Sequence, residues 1–361
     1  MSTKKYKIVK SESIVYKGRT LYRIKALKTF CVACTAISIV VKKGELGGFI
    51  ETENNLSQEG YCWIFNNAKV YDDARVSEDA KICGGAEIFD SAEVFGNAEI
   101  SGNTQIFYGA HVCGNAKVYG YAKVCGKARV YGKAKVCNFA KILDNAQVYD
   151  NAKIYENAIV AGDVQIYHNA QVYGNAWIYD DALICDNARI YGLAKIFNKA
   201  IVYGNAKVYG NAQIFGKAKV YGNAEVYENA EIFDYAFIFG DAKVFSNAKI
   251  FGTTWLYCAA KIGDKLSLNK GKYIFATLNI DETLSEIEPI CYKINFAVRV
   301  IELKLPIEQG YIESLVSELA KYDELIDYFH SNECEIIFTP NENKIYKLLL
   351  QSKQNIENFY K

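Results

Sequence analysis

The sequence predicts a mainly β protein whose central part is a long parallel β-solenoid, and three observations lead to that fold class. A six-residue pattern runs without interruption from Cys62 to Ile262. Within each hexad, a small residue and a β-branched residue alternate with polar or aromatic residues, and two turn-forming residues follow. Alternation over about four residues is typical of a strand with one buried face. Each hexad should therefore supply one strand and one corner of a repeating coil.

Residues 1–61 precede the repeat and are expected to form a small β cap. The segments Ile14–Tyr16 and Thr20–Ile24 have the composition of strands, and Lys17 and Gly18 between them suit a tight hairpin turn. Such a cap would cover the first coil, whose open edge would otherwise be free to pair with other chains.

The inward positions of the repeat hold their residue types with few exceptions. Stepping by six residues from Ala68 to Ala260 gives 33 positions, which are alanine except at Thr104, Val164 and Thr254. Two residues further on, the position is valine or isoleucine in all hexads but one. The two corner residues are mostly Gly, Asp, Asn, Glu or Lys. Of these, glycine readily adopts positive φ, and aspartate and asparagine form local side-chain turns. We therefore expect a continuous core of stacked small and β-branched side chains.

The hexad V-Y-G-N-A-K resembles the motif of the hexapeptide-repeat left-handed β-helix family. That resemblance implies a single-stranded left-handed parallel β-helix with triangular coils of about 18 residues, so that residues 62–264 would make about 11 coils. The segments Leu21–Leu27, Lys42–Glu51 and Asn55–Phe65 also resemble the N-terminal part of a subgroup of bacterial and phage proteins labelled as acyltransferases. That label follows the fold and not a demonstrated reaction.

Residues 265–361 lose the six-residue phase and are expected to form a small α/β domain. Strand-like runs span Tyr273–Ile280 and Cys291–Leu303, and apolar residues then recur at helical spacing from Ile312 to Phe329. A further strand and a second helix near Asn341 would complete the domain. Together with the N-terminal cap, it would cover both ends of the solenoid.

Composition limits the surroundings in which the protein acts. The 42 lysines and arginines nearly balance the 41 aspartates and glutamates, so net charge gives no argument for a polyanionic partner. The N-terminus lacks an apolar signal core, and no run approaches the roughly 18 apolar residues of a membrane span. We expect a protein of the bacterial host cytoplasm that does not contact the membrane, with its eleven cysteines reduced.

The resemblance implies that a catalytic residue would be a histidine, because hexapeptide acyltransferases use a histidine as general base. His168 falls on a corner and His330 follows the predicted C-terminal helix. His111 is the catalytic candidate, since Glu93 and Arg129 should lie one coil away on the same face. All three histidines are nonetheless interpreted as solvent-facing polar residues. A uniform solenoid offers no pocket that excludes water, which favours a non-catalytic protein without a cofactor.

Metal binding is not expected either. Cys31 and Cys34 form a CVAC pair without the second pair or histidine cluster that a zinc site needs. The acidic pairs Asp72-Asp73 and Asp180-Asp181 occupy corner positions, where a turn role explains them, with calcium binding as the alternative.

The outward positions of the coils are expected to form three faces. The position after the β-branched residue is aromatic in 23 of 33 hexads. On the first face, which we call the Lys/Tyr face, basic side chains beside tyrosines suit contacts with phosphates and bases. Its candidate nucleic-acid-binding residues are Lys117, Tyr119, Lys153, Tyr155, Arg189, Tyr191, Lys207 and Tyr209. The structural alternative is that stacked tyrosines stabilise the sheet while lysines keep it soluble.

The second face, which we call the stripe face, becomes apolar in both outward positions toward its C-terminal end. These residues, the apolar stripe, are Leu183, Ile201, Tyr203, Phe237, Phe239, Trp255 and Tyr257. Contiguous exposed apolar area normally marks an interface. A second copy in a dimer or trimer, the C-terminal domain or a foreign protein would cover it. The third face, the Phe face, carries Trp177 and Tyr179 followed by a phenylalanine in each of four successive coils, at 197, 215, 233 and 251.

The leading hypothesis is a non-enzymatic scaffold that acts through protein-protein contacts. The resemblance to phage proteins adds a narrower version, a phage-encoded inhibitor of a host immune protein such as a nuclease. Two alternatives stay open, an acyltransferase of the hexapeptide type and an RNA- or single-stranded-DNA-binding protein that uses the Lys/Tyr face.

Overall fold

The computed structural model describes residues 4–32, 39–257, 260–263 and 265–274. Over these residues the chain is a parallel β-solenoid preceded by a small β cap, which confirms the predicted fold class. The one helix in this part of the chain is the 3-10 helix Glu53–Asn55. The predicted α/β domain, with everything expected beyond Ile274, lies outside the described residues.

The cap contains five strands: β1 (Tyr6–Tyr16), β2 (Arg19–Ala26), β3 (Phe30–Val32), β4 (Ile39–Val41) and β5 (Leu46–Ile50). β1 and β2 form an antiparallel hairpin, β2 also pairs with β5, and β3 pairs with β4. Lys17 and Gly18 have φ angles of 49° and 78°. Because the favoured two-residue hairpin turn needs positive φ at both central residues, the predicted turn is confirmed.

β5 connects the cap to the solenoid. Phe49 and Ile50 pair in parallel with Lys69 and Val70, and Leu56 bridges to Val76. The chain therefore begins to wind before the hexads begin. With this first coil the solenoid has about 12 coils, each of which contributes one strand to the Lys/Tyr face, where about 11 coils were predicted for residues 62–264. The extra coil was missed because the segment before Cys62 follows the path of a coil without its sequence pattern.

The strands of the Lys/Tyr face are Trp63–Ile64, Lys81–Ile82, Glu99–Ile100, Lys117–Val118, Lys135–Val136, Lys153–Ile154, Gln171–Val172, Arg189–Ile190, Lys207–Val208, Glu225–Val226, Lys243–Val244 and Lys261–Ile262. Those of the stripe face are Arg75–Val76, Glu93–Val94, His111–Val112, Arg129–Val130, Gln147–Val148, Gln165–Ile166, Leu183–Ile184, Ile201–Val202, Lys219–Val220 and Phe237–Ile238. Those of the Phe face are Lys69–Val70, Glu87–Ile88, Gln105–Ile106, Lys123–Val124, Lys141–Ile142, Ile159–Val160, Trp177–Ile178, Lys195–Ile196, Gln213–Ile214 and Glu231–Ile232. Two longer strands, Lys249–Tyr257 and Ser267–Ile274, continue from the Phe face over a corner onto the stripe face.

Successive coils are 18 residues apart, as the register of Lys117 with Lys135 and of Lys135 with Lys153 shows. The regular strands are two residues long, shorter than the four-residue stretches that the alternation predicts. The alanine N–H explains the difference, because in many hexads it bonds back to the carbonyl three residues earlier, as Ala134 does to Tyr131 at 3.3 Å. That N–H belongs to the turn and does not take part in the ladder between coils.

The core consists of the predicted inward residues. Ala206 and Val208 are typical, since both are fully buried. Two of the exceptions at the small position carry a hydroxyl into this apolar interior, where an unpaired polar group would be costly. The hydroxyls of Thr104 and Thr254 donate to the carbonyls of Ser101 and Phe251 at 2.7 and 2.8 Å. Both exceptions are therefore satisfied within their own turn.

The cap closes the N-terminal end of this core. Tyr6 and Phe30 meet the buried Trp63 edge-on, with ring centroids 6.3 and 5.4 Å away. Lys5 is buried beside them, and its Nζ donates to the Cys62 carbonyl at 3.0 Å. Burial lowers the pKa of Lys5. Aromatic side chains thus cover the first layer of the core, which water would otherwise reach.

Candidate functional site

His111, the catalytic candidate, lies on the flat outside of the stripe face with its ring partly exposed. It pairs in register with Glu93 on one side and Arg129 on the other, as the 18-residue coil predicts. Its Nδ1 is 3.3 Å from a carboxylate oxygen of Glu93. This pair is the one arrangement around His111 that fits acid-base chemistry.

His168 belongs to a ladder of corner residues. Its Nδ1 is 2.9 Å from Asp186, and its backbone N–H donates to the Asp150 carboxylate at 3.3 Å. Asp186 in turn accepts the N–H of Gly204 at 3.1 Å. His168 therefore has a structural explanation, while His330 lies outside the described residues.

One acid of each corner pair also has structural partners. Asp72 is paired with Arg19 and accepts the N–H of Asp90 at 3.2 Å. Asp180 accepts the backbone and side-chain N–H groups of Asn198 at 3.1 and 2.8 Å. Within the described part of the chain, no group of three or more His, Cys, Asp or Glu residues is placed to hold a metal ion. The turn role given to these acids thus accounts for their contacts.

On the Lys/Tyr face, lysine and glutamate alternate near both ends. Glu99 forms ion pairs with Lys81 at 3.2 Å and with Lys117 at 2.7 Å. Glu225 is held in the same way by Lys207 at 2.9 Å and Lys243 at 3.2 Å. The hydrogen bond from Lys207 lowers the pKa of Glu225 despite partial burial, and the bond from Lys243 adds to it.

Two of the candidate nucleic-acid-binding residues, Lys117 and Lys207, therefore form ion pairs with glutamates. The other two cations, Lys153 and Arg189, are exposed and make no ion pair with a described residue.

The tyrosines of this face form a stacked column. Neighbouring ring centroids are 4.7–5.3 Å apart and the ring planes lie within 10° of parallel. The column contains Tyr155, Tyr173, Tyr191, Tyr209, Tyr227 and Phe245. A base cannot enter between two of these rings unless the rings move apart, because they already stack on each other at 4.7–5.3 Å. Inside the column, each ring face is covered by the neighbouring ring, so a ligand could contact only the ring edges.

Partial burial in this column favours the neutral phenol. Burial and the nearby Glu225 carboxylate raise the pKa of Tyr209 to about 12. Tyr119 is separated from the column by Cys137, whose thiol shares a hydrogen bond with the phenol, and this bond together with burial raises the pKa of Tyr119 to about 12. A cysteine in the aromatic position can therefore interrupt the stack and still partner the ring before it.

The described side chains of the apolar stripe lie side by side on the stripe face, where Trp255 is exposed and Leu183, Ile201, Tyr203, Phe237 and Phe239 are half-buried. Leu183 pairs in register with Ile201, and Phe237 pairs with Trp255, their rings 5.1 Å apart. Lys219 interrupts the row, but its Nζ lies 5.4 Å from the centre of the Phe237 ring.

A second row of the stripe stacks beside the first. Tyr203, Tyr221 and Phe239 have centroid spacings of 4.6 and 4.9 Å, and Phe239 also meets the ring of Trp255 edge-on at 6.4 Å. Trp255 is 39% exposed. The backbone of Tyr257 continues the strand, and its side chain lies outside the described part. The two rows form one apolar surface that ends at the last coils.

The Phe face has a column of its own. Tyr179, Phe197, Phe215, Phe233 and Phe251 stack at 4.8 Å. Trp177, beside this column, is 50% exposed.

A stacked pair of exposed aromatic residues was missed from sequence. Tyr121 and Phe139 occupy the second corner position, where their side chains are 54% and 55% exposed, and their rings stack at 5.1 Å. The signal was present, since this position is usually Asn, Lys or Asp. The predicted faces depend on the strand positions, which do not include this corner position.

No helix among the described residues combines the length and the apolar composition needed to cross a membrane. No protein-family model matches the chain, and no curated protein matches it either.

Proposed function

We propose that this protein is a non-catalytic scaffold that binds another protein through the apolar stripe. The observation that carries the proposal is the contiguity of the stripe, in which the rings of Phe237 and Phe239 both meet the ring of Trp255 on the outside of a solenoid. Trp255 is exposed and the rings beside it are half-buried, so part of each ring is open to a partner. Clustered aromatic residues dominate protein interfaces, and contiguous apolar area on an outer face normally marks one.

The solenoid suits this role because it fixes the stripe before the partner arrives. Each coil is hydrogen-bonded to the next along all three faces, and the inward side chains are fully buried. A surface held in this way loses little conformational entropy when it binds. A second copy of the chain in a dimer or trimer is one form that the partner can take.

Replacing Phe237, Phe239, Trp255 and Tyr257 together by alanine tests the proposal. We expect the variant to keep its solenoid circular-dichroism signal and to lose association, measured by sedimentation velocity for self-association and by capture from the native host followed by mass spectrometry. Trp177→Ala, which removes an equally large exposed ring from another face, is the matched control. Association that survives the fourfold change and depends on Trp177 would contradict the proposal.

A narrower version makes the partner a host immune protein and the chain its phage-encoded inhibitor. It is supported by the sequence resemblance to phage proteins alone. Inhibition of a purified host nuclease by the wild type and not by the fourfold variant is its test.

The second candidate function is acyl transfer, and the His111–Glu93 contact is the observation that favours it. A carboxylate beside a histidine stabilises the protonated imidazole of a general base. Thioester turnover from coenzyme A or an acyl-carrier donor should then disappear in His111→Ala and persist in His168→Ala.

A further inference from the structure

The solenoid carries a belt of positive charge that the balanced composition of the whole chain conceals. Residues 100–143 contain seven lysines and arginines and no aspartate or glutamate. Six of these cations are exposed: Lys123, Lys127, Arg129, Lys133, Lys135 and Lys141. None of the six makes an ion pair with a residue that the structure describes. The belt spans little more than two coils, or about 12 Å of the solenoid axis.

Like charges are stacked within this belt. Lys123 lies in register with Lys141 on the Phe face, and Lys135 lies in register with Lys153 on the Lys/Tyr face. Like charges opposite each other on adjacent strands destabilise a sheet. Near both ends of the Lys/Tyr face the chain places a glutamate between two lysines, so its absence here is not imposed by the fold. An external anion would relieve this repulsion.

The corner between the two lysine rows carries the stacked pair Tyr121 and Phe139. Each ring is more than half exposed, and each precedes a lysine of the Phe face by two residues. Unlike the rings of the long columns, this pair has an aromatic neighbour on one side only, because Asn103 and Asn157 occupy the same corner position one coil away. One face of each ring is therefore not covered by another ring.

The nearest acids do not oppose an anion at this corner. Glu99 is engaged by Lys81 and Lys117. Glu156 lies one coil beyond the corner, and its carboxylate accepts the N–H of Gly174 at 2.8 Å, which is in the following coil. Asp144 accepts the N–H of Gly162 in the same manner. The carboxylates of Asp144 and Glu156 therefore reach toward later coils and away from the belt.

We infer that this corner binds single-stranded nucleic acid. Bases stack on the outer faces of Tyr121 and Phe139, and the lysine rows on either side contact the phosphates. Flat exposed rings beside rows of cations are the combination that sequence-tolerant single-strand binding uses. A purely acidic protein surface would engage the lysines and leave the rings without a role. This surface is separate from the apolar stripe, so the inference goes beyond the proposed scaffold function.

Fluorescence anisotropy of the full chain with labelled oligouridylate and oligothymidylate of about 12 nucleotides tests the inference. We expect binding at low salt that weakens as salt rises. Tyr121→Ala with Phe139→Ala should weaken it about tenfold or more, as expected when a stacking platform is removed. Lys123→Gln with Lys141→Gln, or Lys135→Gln with Lys153→Gln, should each reduce the salt slope by about 0.7 for every phosphate that the variant no longer neutralises.

The matched control is Leu193→Ala with Lys195→Gln. Leu193 is an exposed apolar residue in the same corner position, and Lys195 follows it by two residues, as Lys123 follows Tyr121. This control should bind like the wild type, and thermal unfolding should confirm that every variant is folded.

Three results would overturn the inference. One is the absence of binding at low salt. Another is equal binding of duplex DNA or heparin without dependence on the two rings, which would make the belt a general polyanion surface. The third is salt-sensitive self-association without oligonucleotide binding, since residues 144–188 contain seven acids and a single lysine and would complement the belt of a second copy. The stripe variants report on the proposed scaffold function independently.

Discussion

At the scale of single residues, the first corner position decides how neighbouring coils are joined. Its backbone adopts positive φ whether the residue is glycine or not, as in Gly204 and Asp186 at 68° and 58°. Where the residue is acidic, its carboxylate accepts the N–H of the corner residue in the next coil. Glycine provides the conformation alone, whereas aspartate and glutamate provide a bond between coils at some conformational cost.

Asp186→Gly measures the difference between these two contributions, because glycine removes the carboxylate and also relieves the conformational cost of aspartate at positive φ. We expect the free energy of unfolding in urea to fall by about 1 kcal/mol, since the carboxylate no longer partners the Gly204 N–H and His168. Asp181→Ala is the control, because that carboxylate makes no hydrogen bond with a described residue, and its effect should stay within about 0.5 kcal/mol. Equal destabilisation in the two variants would show that the contacts of Asp186 contribute no more than the conformational cost of aspartate at this corner.

Glu225 gives a prediction about pH. Its pKa in the folded protein is lowered, first by the hydrogen bond from Lys207, so its contribution to stability is present above the unfolded pKa of about 4.3 and is lost as pH falls through the folded value. The paired lysines are more than one-third exposed, so solvent screening limits the gain to about 0.5–1 kcal/mol.

The measurement is the thermal unfolding midpoint of the wild type and Glu225→Gln as a function of pH. The wild type should be the more stable near neutral pH, and the difference should shrink in acid. A difference that stays constant down to pH values below the folded pKa would rule out this ion pair as its source.

At the scale of structural elements, the aromatic columns are cross-strand pairs repeated along a parallel sheet. Tyr191 contacts Tyr173 and Tyr209, both at 4.9 Å. Each stacked pair contributes about 0.5–1.5 kcal/mol beyond area burial. Their regularity follows from the 18-residue coil, which returns the same position to the same place.

Replacing Tyr191 by alanine removes two such pairs at once. We expect the free energy of unfolding to fall by about 2 kcal/mol or more, while Tyr191→Phe, which keeps the rings and removes only the hydroxyl, should stay within about 0.5 kcal/mol. Similar destabilisation by both changes would mean that the hydroxyl, not the stack, holds this part of the face.

Sequence periodicity was sufficient to predict these elements but not their contacts. The strict alternation of Ala and Val with polar residues assigned Ala206 and Val208 to the core and Tyr209 to the outside, because side-chain direction depends only on position in the strand. Whether rings stack face to face or stand apart depends on rotamers, which periodicity does not specify. For the same reason, the sequence placed Lys207 on the Lys/Tyr face without revealing that Glu225 holds it.

At the scale of the whole molecule, the coil length governs which residues share a face. The apolar stripe is continuous because Phe237 and Trp255 are 18 residues apart, and Tyr121 and Phe139 stack for the same reason. The stripe was predictable because its residues lie in regular strand positions. The extra coil at Phe49 and Ile50 was not, because its pairing depends on the cap and not on a hexad.

Two deletions within the solenoid test this dependence. Removing residues 153–170 takes out one coil of 18 residues and should leave a folded, cooperatively unfolding protein whose stripe still binds. Removing residues 153–169 shifts all later hexads by one residue, which turns their charged and aromatic side chains into the core. Circular dichroism and urea unfolding should show a native solenoid for the first and none for the second. A native signal from both would mean that register is not fixed by the inward pattern.

The direction of the bonds between coils also has a mechanical consequence. They lie along the long axis, so tension applied at the two ends loads all the bonds of one coil boundary together. When a boundary yields, a whole coil uncoils and releases up to about 60 Å of extended chain. Such a molecule should keep its length under tension up to a threshold force and should then extend in equal steps, one coil at a time.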